Sequence, residues 1–189
     1  MYPATDGRGR EDPSARRRGH GTLFDGAERH SVMSEPAKIP ATAKRGSDIL
    51  KTVTLNNLAR LEFADPGPIR DQVVAAILAG AKTTTTGLVL EYERTGVALP
   101  EAGWQYVVLD SAAGPAAVIE MTEVRKVRIA DIDLRHVLDD GDESVADWRA
   151  AHEEYWHSAE LREVLGEPEF TADDETVVLA QRFRLVRAL

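Results

Sequence analysis

The sequence predicts an α+β fold, a small and mostly antiparallel β-barrel with a few surrounding helices. Three observations carry that prediction. Two long β-branched segments lie in the second half of the chain, residues 117–129 and 176–186. The latter alternates Val177, Leu179, Gln181, Phe183 and Leu185 against Val178, Ala180, Arg182, Arg184 and Val186, as a closing strand does. Helical periodicity is confined to short stretches between turn signals, and no repeat of roughly 20 to 50 residues recurs, so solenoids and propellers are excluded. Finally, 189 residues with 43% hydrophobic and 29% charged side chains suit one globular domain with a tail.

Residues 1–48 are rich in Gly, Pro, Ser, Arg and Ala and hold no sustained period, which predicts a disordered extension before a folded domain at 55–189. The run Arg16-Arg17-Arg18 reads either as solvated charge or as a nucleic-acid contact, and Met33 is a second candidate initiator. Pro66-Gly67-Pro68 opens a helix. Pro68 suits its first position, Val73, Val74, Ile77 and Leu78 share a face, and Gly80 stands where a left-handed cap ends it. The helix is expected to deliver residues 81–87 to the surface, followed by a second segment at 88–94.

Residues 106–110 read as a short strand, Ala113-Gly114-Pro115 as a turn and 117–129 as the returning strand of a hairpin. A short helix is expected at 131–138 and an acidic loop at 139–143. Ser144, with Asp147 three residues on, resembles a cap for a helix through Trp148, Ala151, His152 and Tyr155.

Charge is unevenly spread. Of 23 basic and 32 acidic side chains, residues 1–48 hold 9 and 7, which leaves 14 and 25 for the rest, a net charge of −11. Such a body is a poor match for long nucleic acid, whose phosphates need a basic face. With no cysteine there is no disulfide, thiolate nucleophile, zinc ribbon or iron–sulfur cluster. No stretch approaches the about 18 apolar residues of a membrane span, so a cytoplasmic protein without a membrane partner is expected.

The most unusual local feature is Gly80-Ala81-Lys82-Thr83-Thr84-Thr85. It is not a phosphate-binding P-loop, because the first glycine of that pattern is missing. It does place an amine and a hydroxyl, Lys82 and Thr85, three residues apart after a helix stop. A desolvated lysine can serve as base to a hydroxyl nucleophile, and a charged one can hold an oxyanion or phosphate. The alternative is that the threonines begin a strand and Lys82 is solvated. Arg149 and His152 share a helix face with Trp148, where they could hold phosphate and move a proton, or brace the acidic loop through Asp140 or Asp142. Trp104, Tyr106, Trp148, Tyr155 and Trp156 flank that loop and read as a base-stacking surface or as core. The histidines show no metal-ligand spacing, so neither a metal nor another cofactor is expected.

The run from Pro66 to Asp71, leading to Ile77-Leu78-Ala79-Gly80-Ala81-Lys82-Thr83-Thr84-Thr85, resembles the Gly-x-Lys-x-x-Thr signature of the ASCH (activating signal cointegrator homology) domain family. The segments 118–124, 148–156 and 181–183 are also similar to that family, whose barrel is PUA-like. The resemblance implies binding of RNA or of a modified nucleoside. In one branch of small bacterial members it implies hydrolysis of the acetyl amide of N(4)-acetylcytidine by a lysine, a threonine and a glutamate. Lys82 and Thr85 match the first two. Where relatives write Glu-Gly-Glu-Gly-Asp, this chain has Asp140-Gly141-Asp142-Glu143, so Asp140 takes the third role with a shorter side chain, and Asp140→Glu is expected to restore reach. On this reading Thr85 attacks the acyl carbon, Lys82 takes the hydroxyl proton, and Asp140 positions Lys82 or holds the exocyclic nitrogen. Arg149, His152, Trp148 and Glu120 line the ligand. The rivals are a non-catalytic RNA-binding module with a path of Lys82, Arg94, Arg125, Lys126 and Arg128, and a metal-independent ribonuclease using Lys82 and His152.

Overall fold

The structure, a computed structural model, describes residues 55–189. The expected extension, the Arg16-Arg17-Arg18 run and Met33 lie outside the described residues. Five strands, β1 (Ala59–Leu61), β2 (Thr84–Leu88), β3 (Gln105–Leu109), β4 (Pro115–Arg128) and β5 (Val177–Ala188), form one sheet in the order β1-β3-β4-β5-β2. Only β1 and β3 run parallel; the other three pairings are antiparallel. The register of β4 against β5 shifts between Val118 and Ile119 and again between Met121 and Glu123. Such bulges increase local twist and help to curl a sheet, which here forms an α+β half-barrel.

The expected helix after Pro66-Gly67-Pro68 is α1 (Pro68–Leu78), and it stops at Gly80, whose φ of +71° is one that glycine adopts without steric cost. The second segment becomes α2 (Val89–Thr95), directly continuous with β2. The helix capped by Ser144, whose hydroxyl accepts from the Asp147 amide, is α4 (Val145–Trp156). Two expectations need correction, and one helix was not anticipated. The helix expected at 131–138 starts later, as α3 (Leu134–Asp140) under an Asp133 cap, and carries Asp139 and Asp140 out of the acidic loop into its last turn. Another helix, α5 (Ala159–Leu165), follows α4 after a Ser158 cap. And residues 82–86 are not a surface loop: Lys82 is 7% exposed and Thr84, Thr85 and Thr86 at most 5%.

Both faces of the sheet are covered. Phe183 joins Phe63, Ile77, Tyr106, Ile119 and Met121 on the α1 side, while Val178 and Ala180 join Val137, Trp148, Trp156 and Leu161 under α3, α4 and α5. The strict alternation of β5 is what lets it serve two cores. No helix among the described residues is long and apolar enough to cross a membrane.

Glu91 ties α2 to α4 by accepting from the Tyr155 hydroxyl at 3.1 Å. Burial pushes its carboxyl up to about 7 against that hydrogen bond. The folded state thus favours protonated Glu91, so its contribution is fully present below the ordinary value near 4.5 and is lost as pH rises towards 7. Relative to Glu91→Gln, the wild type is expected to lose about 2 kcal/mol between pH 4.5 and 8, a figure already reduced for partial exposure. Urea unfolding of both proteins across that range checks it; parallel curves would refute it.

Candidate functional site

Three element ends meet around residues 81–83. The amides of Ala81 and Lys82 both donate to Ala76 O of α1, the Thr83 amide donates to Asp139 O of α3 at 2.8 Å, and Thr83 O accepts from Phe183 of β5 at 2.9 Å. A backbone pinned on three sides fixes the direction of the Lys82 side chain. Its Nζ donates to Asp140 Oδ1 and, at 3.1 Å, to Asp140 O, so two of its three hydrogens are spoken for. The ammonium also lies 5.8 Å from the centre of the Phe63 ring.

Asp140 is enclosed. Its Oδ2 accepts from Trp148 Nε1 at 3.1 Å and has His152 Nε2 3.9 Å away. Burial opposes its charge, but the charge of Lys82, aided by His152, His136 and the Lys82 hydrogen bond, outweighs burial and holds the carboxyl below its ordinary range. His152 Nδ1 stands 2.8 Å from Trp148 O; a carbonyl can only accept, so Nδ1 carries the hydrogen and Nε2 the lone pair. Burial pushes His152 down to about 4, which keeps the imidazole neutral near pH 7. Its ring centre is 4.4 Å from that of Trp148, tilted by 33°.

The threonines of β2 divide by strand alternation. Thr84 Oγ1 donates to His136 O at 2.8 Å and Thr86 Oγ1 stands 2.9 Å from His136 Nε2, both on the α3 side. Thr85 faces the other way, opposite Gln181 of β5. Both are buried, 5% and 4% exposed, and the Thr85 hydroxyl makes no hydrogen bond among the described residues. Nor does a hydrogen bond join it to Lys82. The two are linked through the rings: Lys82 lies over Phe63, Phe63 packs on Phe183 with centres 6.2 Å apart, and Phe183 and Gln181 share a face of β5.

The other expected site residues are placed as follows. Trp148 is fully buried and meets the cluster through its indole N–H to Asp140 and through its ring and carbonyl against His152; with Trp156 and Tyr106 it is core, not a stacking surface. Arg149 pairs with Glu153 at 2.6 Å and with Asp174, not with Asp140 or Asp142. The acid on the next helical turn and one from the segment before β5 reach its partly exposed guanidinium first. Glu120 accepts from Gln105 at 2.9 Å and from Arg184, which hold its carboxyl below the ordinary range. No hydrogen bond or ion pair among the described residues joins it to Lys82 or Asp140. The arginines of the expected basic path are each matched by acids: Arg94 by Glu167, Arg125 by Glu123, and Arg128 by Asp131 and Glu175.

Two residues of this region carry signals that the sequence analysis did not use for the site. His136 precedes Asp140 by one helical turn, which puts both on the face that α3 turns to β2. Gln181 interrupts an otherwise apolar row between Leu179 and Phe183.

A family model of the ASCH domain matches residues 59–187. The chain is similar to the crystal structure of an ASCH domain from Lactobacillus crispatus JV V101, with 26% identity and a TM-score of 0.55 over 62% of this chain and 72% of that one. A protein from Enterococcus faecalis V583 is similar in fold, with 20% identity and a TM-score of 0.54 over 62% of this chain and 68% of that one. No curated protein matches the chain.

Proposed function

Because the chain belongs to the ASCH domain family, we propose that Lys82, Thr85 and Asp140 form a hydrolase site for a small amide on a modified nucleoside, the acetyl amide of N(4)-acetylcytidine being the sharpest case. One observation carries this: a buried ion pair at Lys82 and, three residues along the chain, a buried hydroxyl that has no partner among the described residues. Buried polar groups are normally satisfied, so an unsatisfied buried hydroxyl calls for a ligand.

In the proposed reaction the Lys82 ammonium first gives one proton to water, and Thr85 Oγ then bonds to the acyl carbon as its proton passes to the resulting amine. The tetrahedral adduct collapses, the bond to the exocyclic nitrogen breaks, and Lys82 returns the proton to that nitrogen as cytidine leaves. Water then attacks the acyl-threonine, Lys82 again accepts and returns a proton, and acetate departs with Thr85 restored. Asp140 orients Lys82 through Oδ1 and is itself held by Trp148 through Oδ2. The gap between Lys82 and Thr85 closes when substrate lies between them, as catalytic hydrogen bonds often tighten only in the complex. A neutral nucleoside also suits the net charge of −11 over residues 49–189 better than a polyanion does.

The test is release of acetate and cytidine from N(4)-acetylcytidine by the wild type, absent in Lys82→Ala. An RNA-binding module instead gives no turnover, and its salt-dependent RNA affinity loses about one unit of slope in Lys82→Ala. That second outcome would reject the hydrolase.

A further inference from the structure

We infer that Gln181 is a further catalytic residue, its carboxamide donating to the scissile carbonyl oxygen as Thr85 attacks; the inference rests on the amide-hydrolysis reading. Gln181 and Thr85 are register partners on the antiparallel strands β5 and β2. Partners of this kind hold their Cβ atoms about 4.5–5.5 Å apart on one face of the sheet. Glutamine is two bonds longer than threonine, and its Nε2 lies 3.4 Å from where a Cβ on Gly87, two residues beyond Thr85 along β2, would stand.

The amide is in place but poorly satisfied. Gln181 is 4% exposed, and its one hydrogen bond among the described residues is a long one of 3.4 Å from Nε2 to the Tyr92 hydroxyl. The second Nε2 hydrogen and Oε1 have no partner among the described residues. Leu179 and Phe183 flank Gln181 on the same face and pack into the apolar interior. A leucine or methionine between them would remove the buried, half-satisfied amide, so folding gives no reason for glutamine here.

The support behind the amide is also built for the purpose. Tyr92 approaches the sheet over Gly87, where a Cβ would come within 2.9 Å of its ring and 3.0 Å of its hydroxyl. The absence of that carbon lets the tyrosine reach Gln181 and hold one hydrogen of the amide, leaving the other for a ligand. An oxyanion donor must be positioned before charge develops, and the buried Tyr92 hydroxyl positions this one.

Gln181→Met tests the inference, with acetate release from N(4)-acetylcytidine and the urea midpoint as paired readouts. A catalytic donor predicts a kcat about 100-fold lower or less still, a KM within a few-fold of wild type, and a urea midpoint no lower than that of the wild type. Wild-type turnover that persists in Gln181→Met overturns the inference and leaves the hydrolase standing. A fall in the urea midpoint makes Gln181 structural and also overturns it. A wild type without turnover removes both together.

Discussion

Thr85→Ala is expected to abolish acetate release, by roughly 1000-fold or more, in a domain at least as stable as the wild type. The pairing of those two outcomes is what makes the experiment sharp. Thr85 is 5% exposed and its hydroxyl has no hydrogen-bond partner among the described residues, so the folded state keeps a desolvated polar group without compensation. Leaving such a group unpaired costs about 1–3 kcal/mol, and removing it returns part of that. The neighbouring threonine behaves in the opposite way. Thr86→Ala takes away the partner of His136 Nε2, 2.9 Å distant in the wild type, and should cost about 1–3 kcal/mol while sparing much of the turnover. Thr85→Val is the finer version, since it keeps the volume and the β-branched shape. Urea unfolding and an acetate assay on the three variants decide the matter. Loss of stability in Thr85→Val would mean that the hydroxyl is structural, and retained turnover in Thr85→Ala would remove it from the chemistry.

What the sequence made legible follows from how local each signal is. The start and stop of α1 are written in Pro68 and Gly80, and the cap of α4 in Ser144, because each acts within a few residues of itself. The closing strand was readable since its alternation runs for ten residues and both phases are informative. Shorter elements leave less to read. Strand β1 has three residues, too few to show a period, and its pairing with β3 lies more than 40 residues ahead in the chain. Asp139 and Asp140 looked like loop because four acids fall within residues 139–143, yet Gly141 behind them is the stop signal of a helix that contains both. The site was the hardest part. Lysine among threonines reads as solvated, and only the return of α3 across 58 residues buries Lys82 against Asp140. Arg149 shows the same limit for one of its two partners: Glu153 stands one turn along the helix, but Asp174 is 25 residues away.

Asp140→Asn is expected to cost the domain about 3–5 kcal/mol and to stop turnover, and the loss should be largely recovered, in stability alone, by adding Lys82→Met. The single change leaves a buried ammonium without its counter-charge, and breaking one half of a buried pair is far worse than removing both halves. Asparagine still offers an oxygen to Trp148 Nε1, so the effect is assigned to the charge and not to an orphaned indole. The double variant has no buried charge at this point and should fall within about 1–2 kcal/mol of the wild type, since an apolar pair of similar size often replaces an ion pair at little cost. Equal losses in single and double variants would show that the pair contributes packing only. The same geometry reverses the expectation for Asp140→Glu. The shorter aspartate already reaches Lys82 while its second oxygen holds Trp148, and it is 5% exposed with the fully buried Trp148 ring beside it. An extra methylene must displace one of these neighbours, at a cost of about 1–3 kcal/mol, and it moves the ammonium it is meant to aim. Asp140→Glu should therefore turn over more slowly than the wild type, and a faster enzyme would show that the short carboxylate is a handicap that the enclosing helices do not correct.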